Sequence, residues 1–373
     1  MALIDAFTND YFANNSAVYS GGNESWGGRF GNLGYSIFLL RSQLQSWLDI
    51  PVSFNGILKT RREAWGDILV ASRDYGRMNR RTITNQTCLA DDQIYSANKG
   101  LIALGDSRAM SETAAQRYIK EAVGLLPYTG SDLENGGSEK PYGANYYQIT
   151  NKGLSREWGY VGGAYGEMSP FAAKFYKMTG NEEFRKQAVK MIKARANFRR
   201  PALQKTGTSY YWAMEAIGLL SWRGVRECDG DFSNQIAYGD RAGDFGGMYC
   251  AAATLDPDLV AYAKQMLNDK QFFNELDTWT GTNSESLDVF EDYYKVKNAT
   301  ASTVKLPVTA GQPDFVWVDE ENAIVALKKG TERLWISAYW QAKEGLNSLA
   351  RFHYNTSTYD QYGIMETTPI YSN

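Results

Sequence analysis

Through most of the first 300 residues, apolar side chains recur at i, i+3 and i+4, the spacing that lines one face of a helix. The pattern predicts helices over 35–48, 57–76, 93–105, 111–126, 170–180, 181–198 and 209–222, with a further pair near 257–268 and 269–277. Several runs start after Ser, Asp or Asn and stop at Gly, as helix caps require. "MTGNEEF" leaves only a short turn between two helices, which makes them antiparallel neighbours. Long polar connections lie near 128–164 and 229–248. Connections of that length in a compact domain are usually functional or disordered.

Near residue 300 the period changes from helical to two. "TASTVKLPV", "DFVWVD", "AIVALKKG", "RLWISAYWQA" and "LARFHYNT" alternate and are rich in β-branched and aromatic residues, which predicts about five antiparallel strands. The expected fold is therefore mainly α. Residues 1–300 form helix hairpins that can close into an α/α toroid, an incomplete barrel with loops around a central cleft, and 301–373 form a small antiparallel β domain. Its small size fits a chain truncated from a longer protein.

A net charge of -3 over 373 residues gives no electrostatic footprint for nucleic acid or an anionic membrane. No run of about 18 apolar residues is present to insert into a membrane, and "MALIDAFTND" lacks the basic start and apolar stretch of a signal peptide. Three scattered cysteines and one histidine, His353, argue against a disulfide framework and a His-rich metal centre. Aromatic residues make up 14%, including 25 Tyr and 10 Trp. They suit either an aromatic-rich core or a carbohydrate cleft, where rings stack on the C–H faces of sugars.

Three stretches carry candidate chemistry. "TITNQTCLADDQIYSANKGL" places Asn85 and Gln86 ahead of a helix, where a cap and a turn would also explain them. "SREWGYVGGAYGEMSPF" holds Arg156, Trp158, Tyr160 and Tyr165 in a Gly-rich entry to a helix, which a buried tyrosine would equally suit. "GLLSWRGVRECDGD" puts Arg223 and Arg226 past a helix end, where cations suit the helix dipole.

Taken together, their order and spacing resemble the α/α-toroid polysaccharide lyases of the hyaluronate, chondroitin and xanthan lyase group, or a neighbouring uronate lyase family. Asn85 precedes "YSANKGL" much as the family's Asn precedes its "INN"-like helix. "YVGGAYG" is similar to the family's "Y-T-G-A-Y-G" element, whose second Tyr is catalytic, and this puts that role on Tyr165. "WRGVRE" is similar to the "G-R-x-I-S-R" element, with tighter arginine spacing. The chain departs from the family nine residues before Tyr165, where Arg156 stands in place of a catalytic histidine. Either the mechanism runs without it, with His353 of the β region as the one substitute, or the chain belongs to a neighbouring family. The resemblance implies Tyr165, Asn85 and Arg223 as catalytic residues. It implies Gln86, Arg156, Trp158, Tyr160, Arg226 and His353 as substrate contacts. The partner is an acidic polysaccharide, no cofactor or metal is needed, and the expected location is extracellular or periplasmic.

β-Elimination removes the C5 proton of a uronic acid, next to its carboxylate, and expels the 4-linked sugar. The carboxylate must be offset for the carbanion to form, which amides and an arginine can do by hydrogen bonding. Tyrosine normally titrates near 10, and a neighbouring cation favours the phenolate that would take the proton. Two other readings remain open. One is an α/α-toroid glycoside hydrolase with two carboxylates among Glu157, Glu167, Asp240 and Asp244. The other is a non-catalytic glycan binder using Trp158, Trp212 and Trp222.

Overall fold

The computed structural model describes residues 1–18, 30–80, 84–130, 145–156, 168–203, 209–213, 247–268, 285–337, 348–355 and 360–366. The described part is mostly helical, with a small antiparallel sheet towards the C-terminus. It divides into two compact units, Met1–Tyr147 and Gln148–Asn373. The change from helix to strand expected at 300/301 lies inside the second unit.

In the first unit, α1 (Ala2–Ala13), α2 (Gly31–Leu39) and α3 (Arg41–Leu48) lead to the hairpin β1 (Pro51–Phe54) and β2 (Ile57–Thr60). Then come α4 (Arg61–Met78), α5 (Thr84–Leu104) and α6 (Glu112–Ala122). Trp65, Ile68 and Leu69 of α4 and Leu101 and Leu104 of α5 form the centre of the core, joined by Ile37, Leu44 and Leu48. The Trp65 indole nitrogen donates to Asp5 at 3.1 Å, so the largest core side chain is also satisfied as a donor. α2 and α5 cross at two glycines. A Cβ on Gly34 would lie 2.3 Å from the Ser96 carbonyl oxygen, and one on Gly100 would lie 2.4 Å from the Gly34 Cα.

Four expectations for this unit change. The helix expected over 35–48 is two helices meeting at Leu40, whose backbone (φ -95, ψ 9) leaves the helical region. The helix expected from residue 57 begins at Arg61, because Asn55 (φ 48) and Gly56 (φ 84) make the two-residue turn of a hairpin. Thr60 then starts α4 with a capping box: its hydroxyl accepts from the Glu63 backbone, and the Glu63 carboxylate accepts from the Thr60 backbone. The helix expected over 93–105 already runs from Thr84, so Asn85 and Gln86 lie within α5 and not ahead of it. Its polar start is buried: Thr84, Thr87 and Asp91 are shielded from solvent, with Tyr128 bonded to Thr87 and Arg80 to Asp91.

In the second unit, α7 (Ser169–Thr179) starts with Pro170 and stops at the left-handed Gly180 (φ 69). Asn181 caps α8 (Glu182–Arg195), its side chain accepting from the Glu183 backbone. β3 (Arg199–Leu203) and β4 (Ser209–Ala213) pair antiparallel. This corrects the helix expected over 209–222 in its first five residues, where the aromatic run "SYYWA" suits a strand. α9 (Gly247–Thr254), α10 (Pro257–Asn268) and α11 (Glu285–Asn298) follow, while the helix expected over 269–277 lies outside the described residues.

The sheet is an antiparallel meander in sequence order: β5 (Phe315–Asp319), β6 (Ile324–Lys329), β7 (Glu332–Ser337), β8 (Ser348–Asn355) and β9 (Asp360–Glu366). "TASTVKLPV" is not one of its strands. It packs as irregular chain through the buried Leu306 and Val308, and the Val308 carbonyl accepts from the Arg333 guanidinium at 2.6 Å. The Trp335 indole donates to the Asn197 carbonyl just past α8 at 2.9 Å.

Candidate functional site

The segment "QITNKGLSR", 148–156, leads in sequence to the Gly-rich Tyr165 element, and it folds as a tight reversal. The Thr150 N–H donates to the Leu154 carbonyl at 2.8 Å, and the Leu154 N–H donates to the Thr150 hydroxyl at 3.1 Å. Gly153 is required twice over. Its φ of 101 is costly for other residues, and a Cβ there would lie 2.9 Å from the Lys190 carbonyl oxygen on α8.

The turn between β5 and β6 holds this reversal by polar contacts. The Thr150 hydroxyl donates to the Asp319 carboxylate at 2.6 Å, the Asn151 N–H to Glu321 at 2.6 Å, and the Asn322 amide to the Ser155 carbonyl at 3.0 Å. Burial raises the pKa of the Asp319 carboxyl, against the pull of these hydrogen bonds. Arg156 closes the segment. Its N–H donates to the Gln148 carbonyl at 2.9 Å, and its guanidinium lies 3.6 Å from Glu321. A partly exposed pair at that distance is weak, so it steers the arginine more than it neutralises it.

Asn85 and Gln86 belong to the first unit, in the first described turn of α5, and Gln86 is half-buried. This helix buries a polar face. Next to it, the Arg80 guanidinium is bidentate to Asp91 at 2.9 and 2.6 Å, and also donates to Glu121 at 2.6 Å and to the Gly130 carbonyl at 2.9 Å. The rings of Tyr118 and Tyr128 stack over the guanidinium carbon at 5.1 and 4.6 Å. Burial pushes the Asp91 carboxyl up to about 6 even with Arg80 opposing it. All three charged side chains are shielded from solvent, so this network braces the unit and does not face a ligand.

Elimination needs a phenol that ionises easily. Tyr35, Tyr95, Tyr128 and Tyr262 all shift the other way, upward, chiefly through burial. Tyr95 also donates to the Glu112 carboxylate at 2.5 Å, which holds its proton in place. None of these four is suited to act as a base at neutral pH.

His353 lies on β8, in register with Arg333 of β7 and Tyr362 of β9. Arg156 and His353 thus share the second unit, and Asn85 and Gln86 are consecutive on one helix of the first. Tyr165, Trp158, Tyr160, Arg223 and Arg226 lie outside the described residues, as do Glu157, Glu167, Asp240, Asp244 and Trp222. Trp212 is in β4, opposite Arg200.

The sequence reading missed one feature, the basic face of α8. Arg185, Lys186, Lys190 and Lys193 fall opposite the buried Phe184, Ala188 and Met191 and line a cleft. Their spacing in "NEEFRKQAVKMIKAR" gives the signal when the polar side of the helix is plotted as well as the apolar side. Among the described residues, no group of three or more His, Cys, Asp and Glu is placed to hold a metal ion, and no helix is long and apolar enough to cross a membrane. No family model, no curated protein and no solved structure matches this chain.

Proposed function

We propose that the chain is a polysaccharide lyase that cleaves a uronate-containing glycan by β-elimination, with its helix hairpins closing into an α/α toroid around the substrate. The observation that carries this reading is the "YVGGAYG" element, whose second tyrosine, Tyr165, stands nine residues beyond Arg156, an arginine steered by Glu321 of the β5–β6 turn. In this scheme Tyr165, as phenolate, takes the C5 proton and returns a proton to the departing 4-oxygen. Asn85 and Gln86 donate to the substrate carboxylate, and Arg223 offsets the charge that spreads into it as the proton leaves. Arg156 or Arg223 supplies the positive field that favours the phenolate, and Arg226 contacts the substrate. Trp158 and Tyr160 stack on sugar rings, and His353 contacts the chain from the sheet. Tyr35, Tyr95, Tyr128 and Tyr262, whose pKa values burial shifts upward, are poor candidates for the same role.

The test is incubation with pectate, hyaluronate, chondroitin sulfate and xanthan while following ultraviolet absorbance. Elimination leaves a double bond conjugated to the carboxylate, which absorbs. Hydrolysis makes reducing ends without that band. Tyr165→Phe is expected to fold normally and lose at least about a hundredfold in turnover, the usual scale for a general acid or base. Reducing ends without absorbance, or a Tyr165→Phe variant with more than about a tenth of the rate, would refute the proposal.

A further inference from the structure

The basic face of α8 forms one wall of a cleft of about 420 Å³, within the range of about 300–1,000 Å³ usual for small-ligand sites. Lys152 and Trp317 contribute to its lining, and Asp256 is the one carboxylate on its walls among the described residues. Three of the five cations already have acidic partners. Arg185 lies 2.6 Å from Glu182, Lys193 lies 2.6 Å from Asp258, and Lys152 lies 3.8 Å from Glu320. Lys186 and Lys190 pair with no carboxylate among the described residues. Burial holds the Lys190 ammonium below the usual lysine range, with Glu321 the one opposing charge. A desolvated cation at the wall of an open cleft is relieved by an anion. The same cleft presents an indole. Trp317 is half-buried, braced edge-on by Phe198 at 5.5 Å, with the Lys152 ammonium 5.9 Å from its ring.

We propose that this cleft binds an anionic saccharide, with Lys186 and Lys190 receiving its acid groups and the Trp317 indole stacking on a sugar ring. Ammonium groups suit carboxylates and sulfate esters as point charges, and an indole beside them suits a ring with an apolar face. A simple inorganic anion has no use for the indole. A nucleic acid strand would call for a broad basic field, which a chain of net charge -3 lacks. The inference concerns binding alone and stands whether or not Tyr165 catalyses elimination.

The test is titration calorimetry on Tyr165→Phe protein, so that turnover consumes no probe, repeated on the unaltered chain. The probes are a galacturonate tetrasaccharide, a chondroitin sulfate tetrasaccharide, a cellulose tetrasaccharide, inorganic sulfate and a short thymidine oligonucleotide. One or both acidic tetrasaccharides are expected to bind, more weakly as salt rises, and their comparison separates carboxylate from sulfate recognition. The cellulose fragment, sulfate and oligonucleotide are expected to bind at least about tenfold more weakly. Lys186→Gln/Lys190→Gln, on the cleft face of α8, should weaken acidic-saccharide binding at least about tenfold. Trp317→Ala should also weaken it, with melting curves confirming that both variants fold. The proposal is overturned if no acidic saccharide binds, if the double lysine variant binds unchanged, or if sulfate or the oligonucleotide binds as tightly.

Discussion

Replacing Arg80 by methionine isolates the most deeply buried charge network in the described residues. Methionine roughly keeps the volume and removes five hydrogen bonds: two to Asp91 and one each to Glu121, the Gly130 carbonyl and, at 3.4 Å, the Thr129 hydroxyl. Glu121 keeps the Thr129 backbone at 3.1 Å and Arg117 at 3.7 Å, so its charge is still partly met. Asp91 loses its cation while remaining sealed from water. Removing one partner of a buried pair typically costs about 3–5 kcal/mol, against a total stability of about 5–15 kcal/mol.

The cost should depend on pH. Burial already holds the Asp91 carboxyl at about 6, above the unfolded value of about 3.9, so the native state binds the extra proton. That contribution is complete below the unfolded value and is lost as pH rises through 6. Without Arg80 the native value rises further, so the variant keeps losing stability above pH 6, where the unaltered chain has levelled off. The gap between them should widen by up to about 2.7 kcal/mol from pH 6 to pH 8, at about 1.36 kcal/mol per unit. Urea unfolding, with hydrogen exchange of the α5 amides as the local probe, measures this at both pH values. Adding Asp91→Asn should abolish the widening. A loss below about 1 kcal/mol that is equal at both pH values would show that the network does not brace the unit.

Two further predictions concern backbone geometry. Gly34→Ala places a methyl 2.3 Å from the Ser96 carbonyl oxygen, so α2 and α5 must separate, and thermal melting should show a loss of about 1–3 kcal/mol. Thr60→Ala removes the capping box of α4 and should cost about 1 kcal/mol in urea titrations, most of which Thr60→Ser should restore.

The helices with a continuous apolar face were legible because burial imposes the period that the sequence displays. The errors have particular causes. Ile57 and Leu58 extend the apolar spacing of α4 backwards, yet they are 44% and 73% exposed on a hairpin whose "NG" turn the sequence reading missed. Thr84, Thr87 and Asp91 look like a polar lead-in, yet all three are buried, and Thr87 and Asp91 meet Tyr128 and Arg80. No local pattern joins Arg80 to Glu121, 41 positions away. The α8 stripe was readable on a helical wheel. Trp317, over 120 positions further on, was not, because only the folded second unit places it at the same cleft. Of the residues assigned from the lyase motifs, the sequence could supply order and spacing, while the ion-pair partner of Arg156, Glu321, comes from the distant β5–β6 turn.

The fastening of 148–156 to the β5–β6 turn also sets an order of events during synthesis. Thr150 and Asn151 find their acceptors 169 and 170 positions later in the chain. On a ribosome adding about 5–20 residues per second, that separation is roughly 10–30 s in which the reversal has emerged and its anchors do not yet exist. The segment before the Tyr165 element therefore cannot be locked before the β5–β6 turn has been made. A nascent chain that stops short of Asp319 carries every helix of the described structure and lacks the fastening of the reversal that ends at Arg156. Whatever activity depends on that fastening is acquired late, once translation has passed the turn.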